Sequence, residues 1–560
     1  MSPVDETRAA QASAQLSCRV GLAIVLAAVV LGAWLRIASI DVAFLQGDEY
    51  HSLKLVPRGY AEILSSYDNR GSGIALPLLQ RLGADLIGYN LWAVRWPALV
   101  GSLVLIFCFY PLSRRIVGRT GAMAGTVLAA SSSALIYHGH FARSYSIAAC
   151  LALVLVSVLQ QCAQGEKLSA ARAAMIALFF ALLPYVHLAS VSVTLPACAG
   201  LGVVLLLDPA RRDELRSLSI ALAGGAIVAV LLYLPAWSSF WSFIGSKTTQ
   251  EYTGAFGVLD VAGVLAGSRI GGVLFLLLGF AALALLWRRW GRVASPLILA
   301  CLGPWVALLV LRPYGDAYAY SRYALFALPC WFVAMGWLIG ERFGAKDEGE
   351  APVSLAAVMV SVMLAAVVFA AGPLGIDRVG DGPYASSYMN LYRLPAFDAS
   401  YPHASPVYAR LAQASEPLQI IEAPRLKNRS LHLYRNYYLQ HGHESRLGLL
   451  REAEGPEPAG AGVSLLDFEW QKTEPADFLI LHRDLPEEVR GYWEWVYRDD
   501  AELSADSTVN VLMERHASNW SRQWVVPDAS MLRRFERALG APVYDDAQVI
   551  VWSLRGVSLP

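Results

Sequence analysis

Long apolar blocks separated by short basic connections fill the first two-thirds of the chain, and then the pattern changes. Eleven blocks stand out, near residues 19–40, 92–113, 118–137, 145–163, 170–187, 188–207, 218–236, 269–287, 294–311, 324–340 and 353–373. Each has close to the roughly 20 residues that a helix needs to cross about 30 Å of hydrocarbon. From residue 376 onward the charge density rises and the apolar runs shorten. Runs at 418–422, 477–481, 508–513 and 548–553 have the length of buried strands, and 430–440, 487–497 and 531–539 have helical spacing between them. The pattern predicts a polytopic α-helical membrane protein with about 11 transmembrane helices. A C-terminal extracytoplasmic α/β domain follows, from strands alternating with helices. The domains are then 1–375 and 376–560.

The basic residues set the expected orientation. Arg114, Arg115 and Arg119, then Lys167 and Arg172, Arg211, Arg212 and Arg216, Arg288, Arg289 and Arg292, and Arg342 and Lys346 fall in alternate short loops. The positive-inside rule places those loops in the cytoplasm. The first loop (41–91), residues 138–144, 237–268 and 312–323, and everything after the last block then lie outside. The first block reads as a signal anchor, with Arg36 snorkelling to the interface. In the first loop, 57–66 and 76–86 have the spacing of amphipathic helices lying on the membrane surface.

Composition agrees with this reading. The chain has 560 residues, 56% hydrophobic and 16% charged, against about 25% charge in a soluble protein. A formal net charge of zero gives no bulk attraction to nucleic acid, so no nucleic-acid partner is expected. All seven cysteines lie in or beside apolar blocks, and the C-terminal domain has none, which excludes a disulfide framework there.

The candidate chemistry begins with Asp48-Glu49, two adjacent carboxylates just beyond the first block. Charge is costly to hold beside hydrocarbon and is usually kept there for a task. On the same expected face lie Arg143 with Tyr145, Arg322 with Tyr323, and Lys247, as well as His51 and His187. Arginine presents a planar fork to phosphate oxygens. An acid opposite such cations suits transfer from a lipid phosphate to a hydroxyl: the acid takes the acceptor proton and the cations stabilise the departing phosphate. Interfacial Arg and Tyr also serve as plain membrane anchors. A divalent cation on Asp48 or Glu49 has less support, because no second carboxylate cluster accompanies them. No metal site is assigned, and no cofactor is named with certainty.

Several segments resemble the C-type membrane glycosyltransferase superfamily, on the branch of the protein O-mannosyltransferases and the lipid A aminoarabinose transferases. Asp48-Glu49 matches that family's acidic pair. Val94-Arg-Trp-Pro-Ala-Leu99 is similar to its Arg-x-Pro-Ser-Ala-Leu element, and Ile136-Tyr-His-Gly-His-Phe-Ala-Arg-Ser-Tyr145 to its Tyr-Ser-Gln-Glu-Ala-Arg-x-Tyr segment. Pro184-Tyr-Val-His187 resembles a Tyr-Thr-His element, and Ser321-Arg-Tyr323 with Leu328-Pro329 a late Arg-Tyr…Leu-Pro element. Two places depart: Ala75-Leu-Pro-Leu78 stands where relatives carry His-Pro-Pro-Leu, and His140-Phe141 where they carry Gln-Glu.

The resemblance implies transfer of one sugar, with inversion, from a polyprenyl-phosphate sugar to a lipid, glycan or protein acceptor, on the outer face of a bacterial inner membrane. Asp48 would be the base and Glu49 its support. Arg143 and Arg322 would contact the donor phosphate, helped by Lys247, Tyr145 and Tyr323, with His51 and His187 in acceptor or supporting roles. A lipid-carrier transporter is the rival class. It predicts ionisable residues in mid-span, whereas here they gather at one face.

Overall fold

The computed structural model describes residues 3–38, 40, 49–53, 55–67, 72–248, 257–311, 317–343, 355–371, 405–423, 441–449, 463–464, 476–483 and 529–560. The helical part runs α1 (Pro3–Ile37), α2 (Tyr50–Leu53), α3 (Tyr60–Leu64), α4 (Ala75–Ile87), α5 (Leu91–Ser131), α6 (Ser133–His140), α7 (Tyr145–Ala163), α8 (Ala170–Val186) and α9 (Val191–Leu206). It continues with α10 (Arg212–Tyr233), α11 (Trp237–Thr248), α12 (Val258–Ala266), α13 (Arg269–Trp290), α14 (Ser295–Leu311), α15 (Ala317–Ala324), α16 (Leu328–Phe343) and α17 (Leu355–Ala371).

Each of the eleven apolar blocks carries a helix. Among the described residues, seven helical stretches are long and apolar enough to cross a membrane, and two shorter apolar helices accompany them. Two of the seven join neighbouring blocks. Leu91–Ser131 is interrupted at Gly118 (φ 74°, ψ 178°), between Arg115 and Arg119. Arg269–Leu311 contains the 3-10 turn Gly291–Ala294.

The centre of the bundle is α5, packed against α1, α7 and α16. Small residues let the backbones meet: a Cβ on Gly336 of α16 would lie 2.3 Å from the carbonyl oxygen of Gly121 in α5. Such close approach gives helices in lipid the dispersion contact that replaces a hydrophobic driving force.

Arg36 departs from the sequence expectation. It does not snorkel but is fully buried. Ser132 adopts a non-helical backbone (ψ 116°) between α5 and α6, so carbonyls at the end of α5 are left for other donors. Arg36 Nη1 and Nη2 donate to the carbonyls of Ala130 and Ala129 (3.2 Å each), Nη1 also to Gly32 (2.8 Å), and Nε to Ser102 Oγ (2.7 Å). Those acceptors are worth more to the guanidinium than a route to the interface. In the first loop, both expected helices form, as α3 and α4. Helix α4 buries Leu76, Pro77, Gln80 and Gly83 and leaves Leu82, Leu86 and Ile87 exposed.

The C-terminal unit is built on a six-stranded sheet of β1 (Gln419–Ala423), β2 (Glu444–Leu449), β3 (Val463–Ser464), β4 (Phe478–His482), β5 (Tyr544–Asp545) and β6 (Val549–Ser553), in the order β3-β2-β1-β4-β6-β5. Strands β1–β4 are mutually parallel, and β6 runs antiparallel to both its neighbours, β4 and β5. One face packs under α18 (Pro406–Leu411) and the other under α19 (Ala529–Leu539). Both faces are covered, which explains why Ile420 and Ile421 of β1 and Phe478–Leu481 of β4 are all buried. The expected strands at 418–422, 477–481 and 548–553 and the helix at 531–539 are present within a residue or two. Those at 430–440, 487–497 and 508–513 lie outside the described residues. Strands β2, β3 and β5 escaped the sequence reading because each is short or polar.

Asp546 fastens the end of this unit. Its carboxylate accepts from Ser405 Oγ, Tyr544 Oη (3.0 Å) and the backbone N–H groups of Gln548 and Val549 (2.8 Å each). Burial opposes ionisation, but these donors outweigh it and hold the Asp546 pKa below its ordinary value. A depressed carboxylate pKa stabilises the fold above the ordinary carboxylate range, and that contribution is lost as pH falls through the folded value. Asp546→Ala is expected to cost about 1–3 kcal/mol in urea unfolding followed at neutral pH. The difference from wild type should shrink on acidification.

Candidate active site

Helix α5 begins at Leu91, with Asn90 Oδ1 accepting from the Ala93 N–H (2.9 Å) as its cap. This places Arg95 in the second turn, facing inward at 2% exposure. Its partner is Glu49, which is fully buried. Arg95 Nε donates to Glu49 Oε1 (3.1 Å) and Nη2 to Oε2 (3.2 Å), a bidentate pair, while Nη1 donates to the carbonyl of Ile40 (2.7 Å). One guanidinium thus holds the chain on both sides of residues 41–48. The Ala142 N–H donates to Glu49 Oε1 (2.7 Å), and Ser52 Oγ reaches the carbonyls of Glu49 (3.1 Å) and Ala142 (3.4 Å). The acidic loop is therefore bonded directly to the residue before Arg143.

The next residues extend that junction. Arg143 is buried (3% exposed), and Ser144 Oγ donates to the Ser72 carbonyl (3.1 Å). Gly73 turns the loop at φ 69°. A Cβ there would lie 2.0 Å from the Tyr185 carbonyl oxygen, so only glycine allows the loop this close to the end of α8. Tyr145 opens α7, and its ring centre lies 4.9 Å from those of His138 and His187 and 6.0 Å from Phe326. His187 and Phe326 are 4.8 Å apart. Arg322, half-buried, lies one helical turn before Phe326 in α15. The Arg143 charge reaches both His187 and Tyr67. Burial pushes the Tyr67 phenol above its ordinary pKa, and Tyr233 and Arg143 oppose that only in part.

The structure brings Glu49, Arg143, Tyr145 and His187 to one end of the bundle, and Arg322 precedes by four residues Phe326, whose ring lies against Tyr145 and His187. His51 lies in α2 just after Glu49, half-buried, and Tyr323 packs against the bundle core. Lys247 lies in α11, but its side chain is outside the described residues, as is Asp48. Among the described residues, no group of three His, Cys, Asp or Glu could hold a metal ion. Arg95 enters the sequence reading only as part of the Val94–Leu99 element of the resemblance, with no place in the site; only the fold pairs it with Glu49.

The helical bundle and its C-terminal α/β unit resemble in fold the C-type membrane glycosyltransferases. ArnT from Cupriavidus metallidurans superposes in its apo state with a TM-score of 0.54 at 13% identity, covering 98% of each chain. The same protein bound to undecaprenyl phosphate gives 0.51 at 14% identity, covering 96% of this chain and 99% of that one. Residues 72–239 match the family described as dolichyl-phosphate-mannose-protein mannosyltransferase. No curated protein matches the chain by sequence. The chain accordingly resembles the branch of that superfamily that holds ArnT and the protein mannosyltransferases.

Removing one partner of a buried ion pair strands the other charge, typically at about 3–5 kcal/mol. Arg95→Ala should therefore unfold at clearly lower temperature than wild type. The double variant Glu49→Gln/Arg95→Met should recover most of that loss, as measured by thermal unfolding in detergent. Equal instability of the single and double variants would contradict the pairing.

Proposed function

We propose that this protein moves one sugar from a polyprenyl-phosphate sugar to an acceptor hydroxyl outside the cytoplasm, with Asp48 as the base. The observation that carries this reading is the bonded chain Ile40–Arg95–Glu49–Ala142. It brackets the segment containing Asp48 and joins it to the residue before Arg143.

In the reaction, Asp48 takes the proton of the acceptor hydroxyl. The oxygen attacks the anomeric carbon from the face opposite the phosphate. The bond from that carbon to the phosphate oxygen breaks, and the electron pair leaves on the lipid phosphate, so the configuration inverts. A phosphate is already a good leaving group, so charge stabilisation by Arg143 and Arg322 serves better than protonation. One carboxylate base then suffices, unlike the separated carboxylate pair of a glycosidase. Glu49, held in both oxygens by Arg95, acts by positioning.

The donor lipid lies in the membrane plane, and the acceptor is a lipid, a glycan or a protein. The similarity to a protein crystallised with undecaprenyl phosphate supports a polyprenyl carrier. The bundle-end location of the charged groups supports an enzyme over a transporter. The alternation of the basic loops supports a site on the non-cytoplasmic side, and the likeness to ArnT from Cupriavidus metallidurans supports a bacterial inner-membrane location.

Asp48→Asn should abolish turnover of a radiolabelled polyprenyl-phosphate sugar by purified protein while thermal unfolding is unchanged. Arg143→Lys should lower kcat/KM by roughly 10–100-fold, the worth of a bidentate charged contact of about 1.5–3 kcal/mol. Full activity of the Asp48 variant would refute the assignment of the base.

A further inference from the structure

A groove lies in the bundle between α13, α16 and α17. Helix α16 contributes Leu328, Phe332, Met335 and Ile339 to it, each at most 6% exposed. Residues at that spacing share one face of a helix, so they form a continuous stripe. Helix α13 adds Leu274 and Leu278, and α17 adds Leu364 and Val367. Leu274 (36% exposed) and Val367 (43% exposed) mark its open side. Leu328 to Ile339 spans about 16 Å at a rise of about 1.5 Å per residue, close to half the hydrocarbon thickness.

The two ends of the groove differ. Toward Arg342, Gly279 brings α13 onto α16: a Cβ there would lie 2.6 Å from the Trp331 ring and 3.2 Å from Met335. Further along, the rings of Trp290 and Trp337 meet at 5.6 Å. These contacts close the space between α13 and α16 at that end. At the other end, Leu328 directly follows the turn Leu325–Ala327. Phe326 in that turn lies 4.8 Å from His187 and 6.0 Å from Tyr145, ring centre to ring centre. Ser132, the break from which α6 runs toward Arg143, is the one polar side chain among the lining residues. The groove is therefore apolar along its length, and its open end adjoins the ring cluster of the candidate site.

Such a groove gains nothing over lipid by hydrophobicity, because hydrocarbon is the solvent around it. Its occupant is selected by the head group held at its open end. We propose that the groove seats the isoprene units of the donor lipid nearest the phosphate, so that the protein reads only that part of the chain. This rests on the polyprenyl-phosphate donor proposed above. An isoprene unit adds four carbon–carbon bonds along the chain, about 5 Å when extended. The groove thus has room for roughly three units, and the remainder of a longer chain lies in the bilayer. Carrier length beyond that point then has little influence on binding. A phospholipid acyl chain is the competing occupant, and the experiment separates the two.

Purified full-length protein in phosphatidylcholine nanodiscs should be photolabelled with undecaprenyl phosphate carrying a diazirine on its first isoprene unit, and the labelled residues mapped by mass spectrometry. The label is expected on the groove residues of α13, α16 and α17. Farnesyl phosphate, which has three isoprene units, should compete within about threefold of undecaprenyl phosphate at equal concentration in the bilayer. Dimethylallyl phosphate and phosphatidylglycerol should not compete. Leu278→Trp, which fills the groove, should cut labelling roughly tenfold while keeping the wild-type unfolding profile; if that variant does not fold, the wild-type competition decides. Label elsewhere in the bundle, no competition by farnesyl phosphate, equal competition by phosphatidylglycerol, or full labelling of folded Leu278→Trp would overturn the proposal. Labelling needs no sugar transfer. Label in the groove of a protein that turns over no sugar donor would count against the functional reading and not against the groove.

Discussion

The Glu49–Arg95 ion pair is the constraint on which the candidate site depends. Two charges inside a membrane bundle are expensive, and they persist only when each is paired and hydrogen-bonded. Here the geometry is complete: two parallel contacts between the side chains, a backbone carbonyl for the remaining guanidinium nitrogen, and a backbone N–H for one carboxylate oxygen. Together these contacts join Glu49, Ile40 and Ala142 to the start of α5. The first loop, the entry to α5 and the turn before α7 are therefore fixed by one interaction. Asp48 and Arg143 each adjoin a residue that it holds.

Arg36 acts in a similar way in the last turn of α1. The break at Ser132 lets α6 change direction and carry the chain toward Arg143, and the carbonyls it frees are met by a buried guanidinium. Both buried arginines thus stabilise irregular backbone near the site, where a regular helix would have needed neither.

The bundle was legible in the sequence because its signal is strong and local. An uninterrupted run of about twenty apolar residues is long for a soluble core helix and matches the thickness of a bilayer, and all eleven blocks are helical. The resemblance of the acidic pair, the Arg143 segment and the Arg322 segment also pointed to the superfamily that the fold matches. The pairings were hidden. Nothing in sequence spacing connects Glu49 with Arg95, 46 residues later, and the rule that interfacial arginines snorkel pointed the wrong way for Arg36. That rule assumes water is the best acceptor within reach, and a broken helix offers better. In the C-terminal unit, the strands buried on both faces were readable and the short edge strands were not.

The central claim is that one buried pair holds the acidic loop and the Arg143 turn as a unit. Hydrogen–deuterium exchange of wild type and Glu49→Gln tests it directly. Loss of the carboxylate should raise exchange together in residues 49–53 and 141–145 and leave the C-terminal sheet as it was. A rise in only one of the two segments, or in neither, would contradict the account.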